Sequence, residues 1–397
     1  MFSHQEINAE WTTIYSELAA YWKAGGSEIE SEEKDEMGND VGRPDLVLRL
    51  DTLKEHKSSQ DIRVMYNIYN NWDRVFYNYK FEAVNAAADI RNEQCMFAAG
   101  LGSNGKDTRI SRMNALLGKS GEGGFAGTIG KQHFLGKEHR DAEAPMPFLD
   151  SLRGCRWVTV PELQKNCESI TTFNVSLLKT LTEKAGGAIS VRTLNTKPEP
   201  YNVTFGLFFA TNDPCVFHER DRGDALERRV IIDYNSVRFW ASKQRASDVK
   251  VDESIKPRCA KGEFRAEHLF HLRFAYQAFL QLPGREIAPV PGEITTMTDR
   301  YLSGKGAVGV DSVQEEFMQK VEPVERRALA SNFNKVNKLI ESLVRDTKKV
   351  PDTIQMLGLT KQKSGTVGLG NVYEMIFKEG QTPKPVKIKP EVAVSLA

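Results

Sequence analysis

Gly100, Gly105 and Lys106 stand at the spacing of the phosphate-binding pattern G-x-x-x-x-G-K-[ST], inside the stretch Gln94 to Leu117, QCMFAAGLGSNGKDTRISRMNALL. A triphosphate is cradled by backbone N–H groups that glycines let approach closely, while the next helix points its positive end at the anion. The residues expected to hold it are Gly100, Gly102, Ser103, Asn104, Gly105, Lys106, Asp107 and Thr108, with Lys106 reaching the outer phosphates. Asp107 stands where a Ser or Thr hydroxyl normally joins a Mg²⁺ shell, and Thr108 follows it. Either Asp107 or Thr108 completes that shell, the carboxylate at the cost of negative charge beside the phosphates.

Further along the chain, more residue types fit the same chemistry. Glu162 closes the apolar run RWVTVPE and is the acid placed to hold Mg²⁺ and polarise an attacking water from a strand beside the phosphate-loop strand. Pro161 occupies the position where a first acid often sits. Asn212 ends the run FFATN, where its amide can orient a water against a γ-phosphate. Arg228 and Arg229 precede the run VII, and guanidinium groups there can neutralise charge on a transferring phosphoryl group.

These side chains need strands and helices to hold them. Cys95 to Ala99 reads as a strand buried in a parallel sheet, and the amphipathic run after Gly105 as a helix. Ala9 to Ala24 places Trp11, Ile14, Leu18 and Trp22 at helical spacing and stops at Gly25. Ser27 to Asp40 is acidic and reads as a solvated linker. From Asp61 to about Arg91 the spacing of Met65, Ile68, Tyr69, Trp72, Val75, Phe76 and Tyr79 predicts one long or two consecutive helices, with the aromatic stripe as core rather than a base-stacking platform. Lys119 to Met146 reads as an exposed glycine-rich insertion, with His133 and His139 at the surface. Asn174 to Lys184 is a predicted helix. Ala188 to Leu194 and the run Val203 to Ala210 form a predicted hairpin with Lys197 at its tip.

Composition sets the outer bounds. A chain of 397 residues exceeds the ~250 to 300 at which single cores stop growing, so several domains are expected: 1–90 helical, 91–240 the phosphate-binding core, 241–325 helical, and 326–397 a basic winged-helix-like module and tail. A formal charge of +1, from 54 basic and 53 acidic residues, excludes a broadly basic nucleic-acid binder and leaves local patches. The lysines after Asn332, from Lys335 to Lys389, are such a patch. The 5 cysteines show no C-x-x-C pair and no zinc spacing, so they read as reduced thiols. No membrane span and no export signal are read, and a cytoplasmic, unsecreted protein is expected.

In order along the chain, GLGSNGKDT, LRGCRWVTVPE, SLLKTLTEKAGG-x-x-x-x-R, FFATNDP and ALERRV resemble the helicase core of viral, phage and plasmid primase-helicases of the poxvirus type, a branch of superfamily 3. The resemblance runs from about Cys95 to Phe317 and takes in PGEITTMTDRYL. It implies an α/β fold with an AAA+ type P-loop core, a hexameric ring, ATP and Mg²⁺ as cofactors, and translocation on single-stranded or forked DNA, RNA not being distinguished. It assigns Lys106 to the phosphates, Glu162 to the metal and water, Asn212 to sensing, and Arg228 or Arg229, with Arg229 favoured, to a finger acting on the neighbouring subunit. Lys197 and Arg192, on the hairpin, are assigned to nucleic acid. Asp107, Pro161 and Ala188 depart from the family pattern, and a separate primase or polymerase is expected as partner. A nucleic-acid-binding assembly protein that has lost its ATPase, which Asp107 and Pro161 favour, and an RNA-virus helicase of the same superfamily are the alternatives.

Overall fold

The computed structural model describes residues 4–26, 28–29, 45–89, 93–100, 102–135, 146–163, 173–183, 189–191, 197, 199–212, 217, 223–240, 249–285 and 287–302. Of the C-terminal part it describes 321–323, 331, 334–337, 360–363, 371–375 and 384–388. The chain divides into two compact units, Met1–Lys305 and Gly306–Ala397.

In the first unit, helices α1 (His4–Lys23), α2 (Asp45–Lys54), α3 (Gln60–Tyr69) and α4 (Trp72–Ala86) precede strand β1 (Cys95–Ala99) and helix α5 (Lys106–Leu117). There follow β2 (Ala126–Thr128), α6 (Pro147–Asp150), β3 (Trp157–Val160), α7 (Val175–Leu181), β4 (Ile189–Val191), β5 (Glu199–Tyr201) and β6 (Gly206–Ala210). The unit ends with α8 (Asp224–Glu227), β7 (Val230–Tyr234), β8 (Phe239–Trp240), β9 (Val249–Lys250), α9 (Ile255–Ala260), α10 (Arg265–Gln281) and α11 (Gly292–Leu302).

Five strands pair in parallel in the order β2-β3-β6-β1-β7. β1 and β6 are buried along their whole length, as strands covered on both faces must be. Their side chains alternate between the faces. Met96, Ala98, Phe208 and Ala210 meet Tyr77, Phe81 and Met113 on one side. On the other, Phe97 stacks on its register partner Phe209 at 4.2 Å, next to Phe173 and Phe217.

The helices that flank the sheet in sequence share one core. Trp11, Leu18, Val47, Ile62, Trp72 and Phe76 cluster with Leu272 and Ala275 of α10. The predicted aromatic stripe is therefore packing surface, broken into α3 and α4 where Asn70 turns left-handed and Asn71 caps the next helix by accepting from the Arg74 amide. The acidic segment after Gly26 is tied down at its start: Ile29 is buried in that core and donates to Asp73 at 2.7 Å.

Three expectations change. The strand Trp157–Val160 lies next to β6, so β6 separates it from β1, the strand it was expected to neighbour. The hairpin pairs β4 with β5 through Pro200, which an edge strand tolerates because it needs no inward N–H there. The apolar run after Val203 instead enters the parallel sheet as β6. The glycine-rich 119–128 segment is not all exposed loop, since Ala126–Thr128 forms β2 on the sheet edge and Ala126, Ile129 and Phe134 are buried.

The second unit holds β10 (Val321–Pro323), β11 (Thr360–Lys363), β12 (Asn371–Met375) and β13 (Lys384–Ile388) as an antiparallel sheet in the order β10-β13-β12-β11. Residues 334–337 are helical, and the rest of the predicted helix to Arg345 lies outside the described residues. Among the described residues no helix is long and apolar enough to cross a membrane.

Candidate active site

The three strands carrying the predicted chemistry, β1, β3 and β6, run the same way, so their C-terminal ends open on one side of the sheet. A cavity of about 920 Å³ lies there. It is lined by 102–108 of the loop and α5, by Pro161 and Glu162, and by Ala210, Thr211 and Asn212. Residues more than a hundred positions apart thus face one space.

The loop's shape follows from its glycines. Gly100 has φ 131°, and a Cβ there would stand 2.3 Å from the Asn235 carbonyl oxygen. Gly105 has φ 88°, and a Cβ there would meet the Ile68 side chain at 2.6 Å. Both positions thus exclude other residues on conformation and on space. Asn235, just past β7, holds the loop from beneath: its Nδ2 donates to the Asn104 carbonyl at 2.7 Å and its own amide to the Ala99 carbonyl at 2.9 Å. Phe239 N donates to the Ser103 carbonyl at 2.8 Å. Sequence reasoning missed Asn235 and Phe239; neither the run after β7 nor its distance in sequence signals a clamp on the loop.

Lys106 opens α5. Its Nζ donates to the Gly100 carbonyl at 2.5 Å and to Asn212 Oδ1 at 3.3 Å, so the expected phosphate lysine and the expected sensor are in contact. The residues next to Glu162 and Asn212 are laced together: Leu163 N donates to the Ala210 carbonyl at 3.2 Å and Thr211 Oγ1 to the Leu163 carbonyl at 2.6 Å. Glu162 and Ser103 both line the cavity with positive φ, 52° and 64°, a conformation that non-glycine residues hold at a cost and that gathers at functional sites.

Asp107 and Thr108 both line the cavity. Asp107 Oδ2 accepts from Lys256 Nζ of α9 at 3.0 Å, with both side chains largely exposed. Lys256 belongs to a wall the sequence did not announce. Val64, Asn67 and Ile68 of α3 close one part of the cavity, and Phe239 with 250–253 and 255–257 another.

Behind the cavity α5 turns its other face into a buried ionic cluster. Arg112 binds Asp61 with two bonds of 2.7 Å, Arg109 binds Glu82 at 3.0 and 3.1 Å, and Arg74 binds Asp233 at 2.7 Å. Arg109 also donates to Tyr69, His268 Nε2 lies 3.2 Å from Glu82, and Tyr79 donates to Asp61 at 2.6 Å. Burial would push the Glu82 carboxyl up, but Arg112 and Arg109 hold it down at about 2. The same contest at Asp61, won by Arg112, leaves that carboxyl well below the usual range. Arg109 and Arg112 thereby fix the helix that begins with Lys106.

Arg228 and Arg229 lie at the other end of the sheet. Val230 is the register partner of Cys95, and Cys95 N donates to the Arg229 carbonyl, so both arginines sit beside the start of β1. The five-residue strand puts roughly 15 Å between them and the loop of their own chain. Arg229 is 9% exposed, donates to the Ala225 carbonyl at 2.7 Å and pairs with Glu93 at 3.4 Å. Arg228 is 59% exposed and meets the same Glu93 at 3.5 Å. The geometry runs against the sequence-based preference for Arg229 as the outward residue: Arg229 is the buried one, anchored to Glu93, and Arg228 is the exposed one. Lys197 is exposed in the connection between β4 and β5, whereas Arg192, Ala188 and His139 lie outside the described residues.

No known protein family matches the chain, and no curated protein sequence matches it. Among solved structures it is similar to the A-form apo structure of the NrS-1 C-terminal region, with 12% identity and a TM-score of 0.38 over 83% of this chain and 75% of that one. It is likewise similar to the apo structure of the same region, with 11% identity and a TM-score of 0.40 over 83% and 76%.

Proposed function

We propose that this chain is an ATP hydrolase that works as a ring and couples hydrolysis to movement on nucleic acid, DNA in the first instance. The observation that carries the reading is the contact of Lys106 with Asn212 inside a cavity that the glycine loop and Glu162 also line. That set fits a nucleoside triphosphate: loop amides and Lys106 for the phosphates, and Glu162 with Thr108 or Asp107 for the one or two protein oxygens that Mg²⁺ accepts beside phosphates and water. Held by these residues, Mg²⁺ would neutralise charge on the phosphates.

Each side chain then has one task. Lys106 exchanges its bonds to Gly100 and Asn212 for phosphate oxygens. Asn212 is released to hold the attacking water, and Glu162 accepts that water's hydrogen bond and proton. Asp107 remains available, because an ion pair as exposed as the one with Lys256 is worth only ~0 to 1 kcal/mol. Among the described residues that line the cavity there is no arginine. Arg228, exposed at the far end of the sheet, suits the role of an arginine finger toward a neighbouring subunit, which is the support for a ring. Lys197, exposed on its hairpin, suits a phosphate of the nucleic acid.

A binding-only assembly protein is the second reading, favoured by the pairing of Asp107 with Lys256. Turnover of ATP by Arg228→Ala, by Lys106→Ala and by their mixture, with and without single-stranded DNA, separates the two. Each variant alone is expected to lose hydrolysis by a factor of roughly a thousand or more for the finger. The mixture should regain part of it, since some interfaces pair an intact loop with an intact Arg228. Full activity of Arg228→Ala, or of a monomer, contradicts the ring.

A further inference from the structure

The cavity is larger than a phosphate cradle, and its remaining wall has a different character. Val64, Asn67 and Ile68 fall on one face of α3 by the i, i+3, i+4 relation and all line the cavity. Phe239, Val251 and Ile255 line it from the chain beyond β7. These six side chains carry no charge, although Lys250, Asp252, Glu253 and Lys256 line the cavity from the same segment as Val251 and Ile255, so the six themselves offer a hydrated triphosphate nothing. A flat heteroaromatic ring, by contrast, gains from leaving water for such a surface. α3 abuts the cradle itself, since Ile68 lies directly against Gly105.

Asn67 differs from its neighbours on this wall. It is exposed, and its amide makes no side-chain hydrogen bond among the described residues. One carbonyl acceptor and an NH₂ donor therefore stand free beside aliphatic carbon.

We propose that this wall is a nucleobase subsite and that Asn67 reads the edge of the base, selecting adenine over guanine. The proposal rests on the phosphate-binding reading of the loop. On its N7 edge adenine presents an acceptor at N7 and a donor at N6, the complement of a carboxamide. Guanine presents acceptors at both N7 and O6, which leaves the Asn67 carbonyl facing another acceptor. Val64 and Ile68 on one side, and Phe239, Val251 and Ile255 on the other, supply the apolar surroundings in which that mismatch costs most.

The test is calorimetric titration of the full chain with Mg²⁺ and one of three probes: ATP, GTP or inorganic tripolyphosphate. The wild type is expected to bind ATP about tenfold or more tightly than tripolyphosphate, as an apolar base subsite requires. It should favour ATP over GTP by about tenfold or more, the discrimination of one bidentate contact. Asn67→Ala should bring ATP and GTP to within about threefold while ATP still exceeds tripolyphosphate. Asn67→Arg, whose guanidinium suits O6 and N7 of guanine, should move the preference toward GTP. Equal binding of ATP and tripolyphosphate overturns the subsite and leaves the phosphate cradle standing. An ATP preference that survives Asn67→Ala overturns the role of Asn67. Failure of all three probes to bind overturns the cradle, and the subsite with it.

Discussion

The helix α5 carries two ion pairs of the same chemical kind in opposite surroundings. Asp107 and Lys256, at its cavity end, are 74% and 59% exposed; Asp61 and Arg112, one to two turns on, are 0% and 1% exposed. Water screens the first pair, so its strength is slight and its members are free to exchange partners when a ligand arrives. The second pair has no water to fall back on, and losing either member strands a buried charge. One helix thus has an exchangeable face for chemistry and a locked face for position. The lesson is that distance alone ranks these contacts poorly, since 3.0 Å and 2.7 Å are nearly alike while burial is not.

The largest effect expected from breaking the locked side is on stability. Arg112→Ala leaves Asp61 and Glu82 without a partner they share, and should lower the unfolding free energy by ~3 to 5 kcal/mol in urea titrations. A loss under ~1 kcal/mol would place the cluster with surface pairs.

Acid should dissolve the same cluster without any mutation. The folded carboxyl of Glu82 sits at about 2 against an ordinary 4.5, so the folded form holds fewer protons between those values. Its contribution is complete above about pH 4.5 and is lost as pH falls toward 2. For Glu82 that is about 3 kcal/mol, and Asp61, also depressed, adds to it in the same direction. Urea midpoints at pH 7, 5, 4 and 3 should be flat at first and then fall, and Arg112→Ala should flatten the fall. An acid limb of unchanged steepness in that variant contradicts the assignment.

The smallest effect belongs to the exchangeable side. Lys256→Ala should shift stability by no more than ~1 kcal/mol in the same titrations. A loss comparable to that of Arg112→Ala would erase the distinction between the two faces.

The sequence made one of these faces visible and hid the other. The glycine loop that carries Gly100, Gly105 and Lys106 is legible because its geometry is local: strand, turn and helix lie within one short stretch, and the glycines are demanded by backbone shape. The helices of the aromatic stripe were legible from helical spacing, and the first arm of the hairpin from alternation, but its second arm was misplaced, since the apolar run after Val203 joins the parallel sheet and Glu199–Tyr201 pairs with Ile189–Val191. The order of strands was not, because parallel strands need long crossovers and nothing in RWVTV says which neighbour it will choose. Asp61, Glu82, Arg109 and Arg112 looked like ordinary helix charges. The available signal was their position within apolar stripes, as with Asp61 beside Ile62, Val64 and Met65. Val64, Ile68 and Val251 were hidden for the opposite reason, since an aliphatic wall of a cavity and an aliphatic core have the same composition. For Arg228 and Arg229, adjacent residues at a strand entrance give no sequence sign of which turns inward; the Glu93 carboxylate decides it.

The central claim is that Lys106, in contact with Asn212, serves hydrolysis of a nucleoside triphosphate. Its most direct test is phosphate release from Mg²⁺·ATP by the wild type and by Lys106→Ala at matched concentration, with thermal unfolding measured on both. The account predicts Mg²⁺-dependent turnover by the wild type, its loss in Lys106→Ala, and unfolding temperatures that coincide because Lys106 lies outside the buried cluster. Turnover that is absent from the wild type, or undiminished in Lys106→Ala, would contradict it.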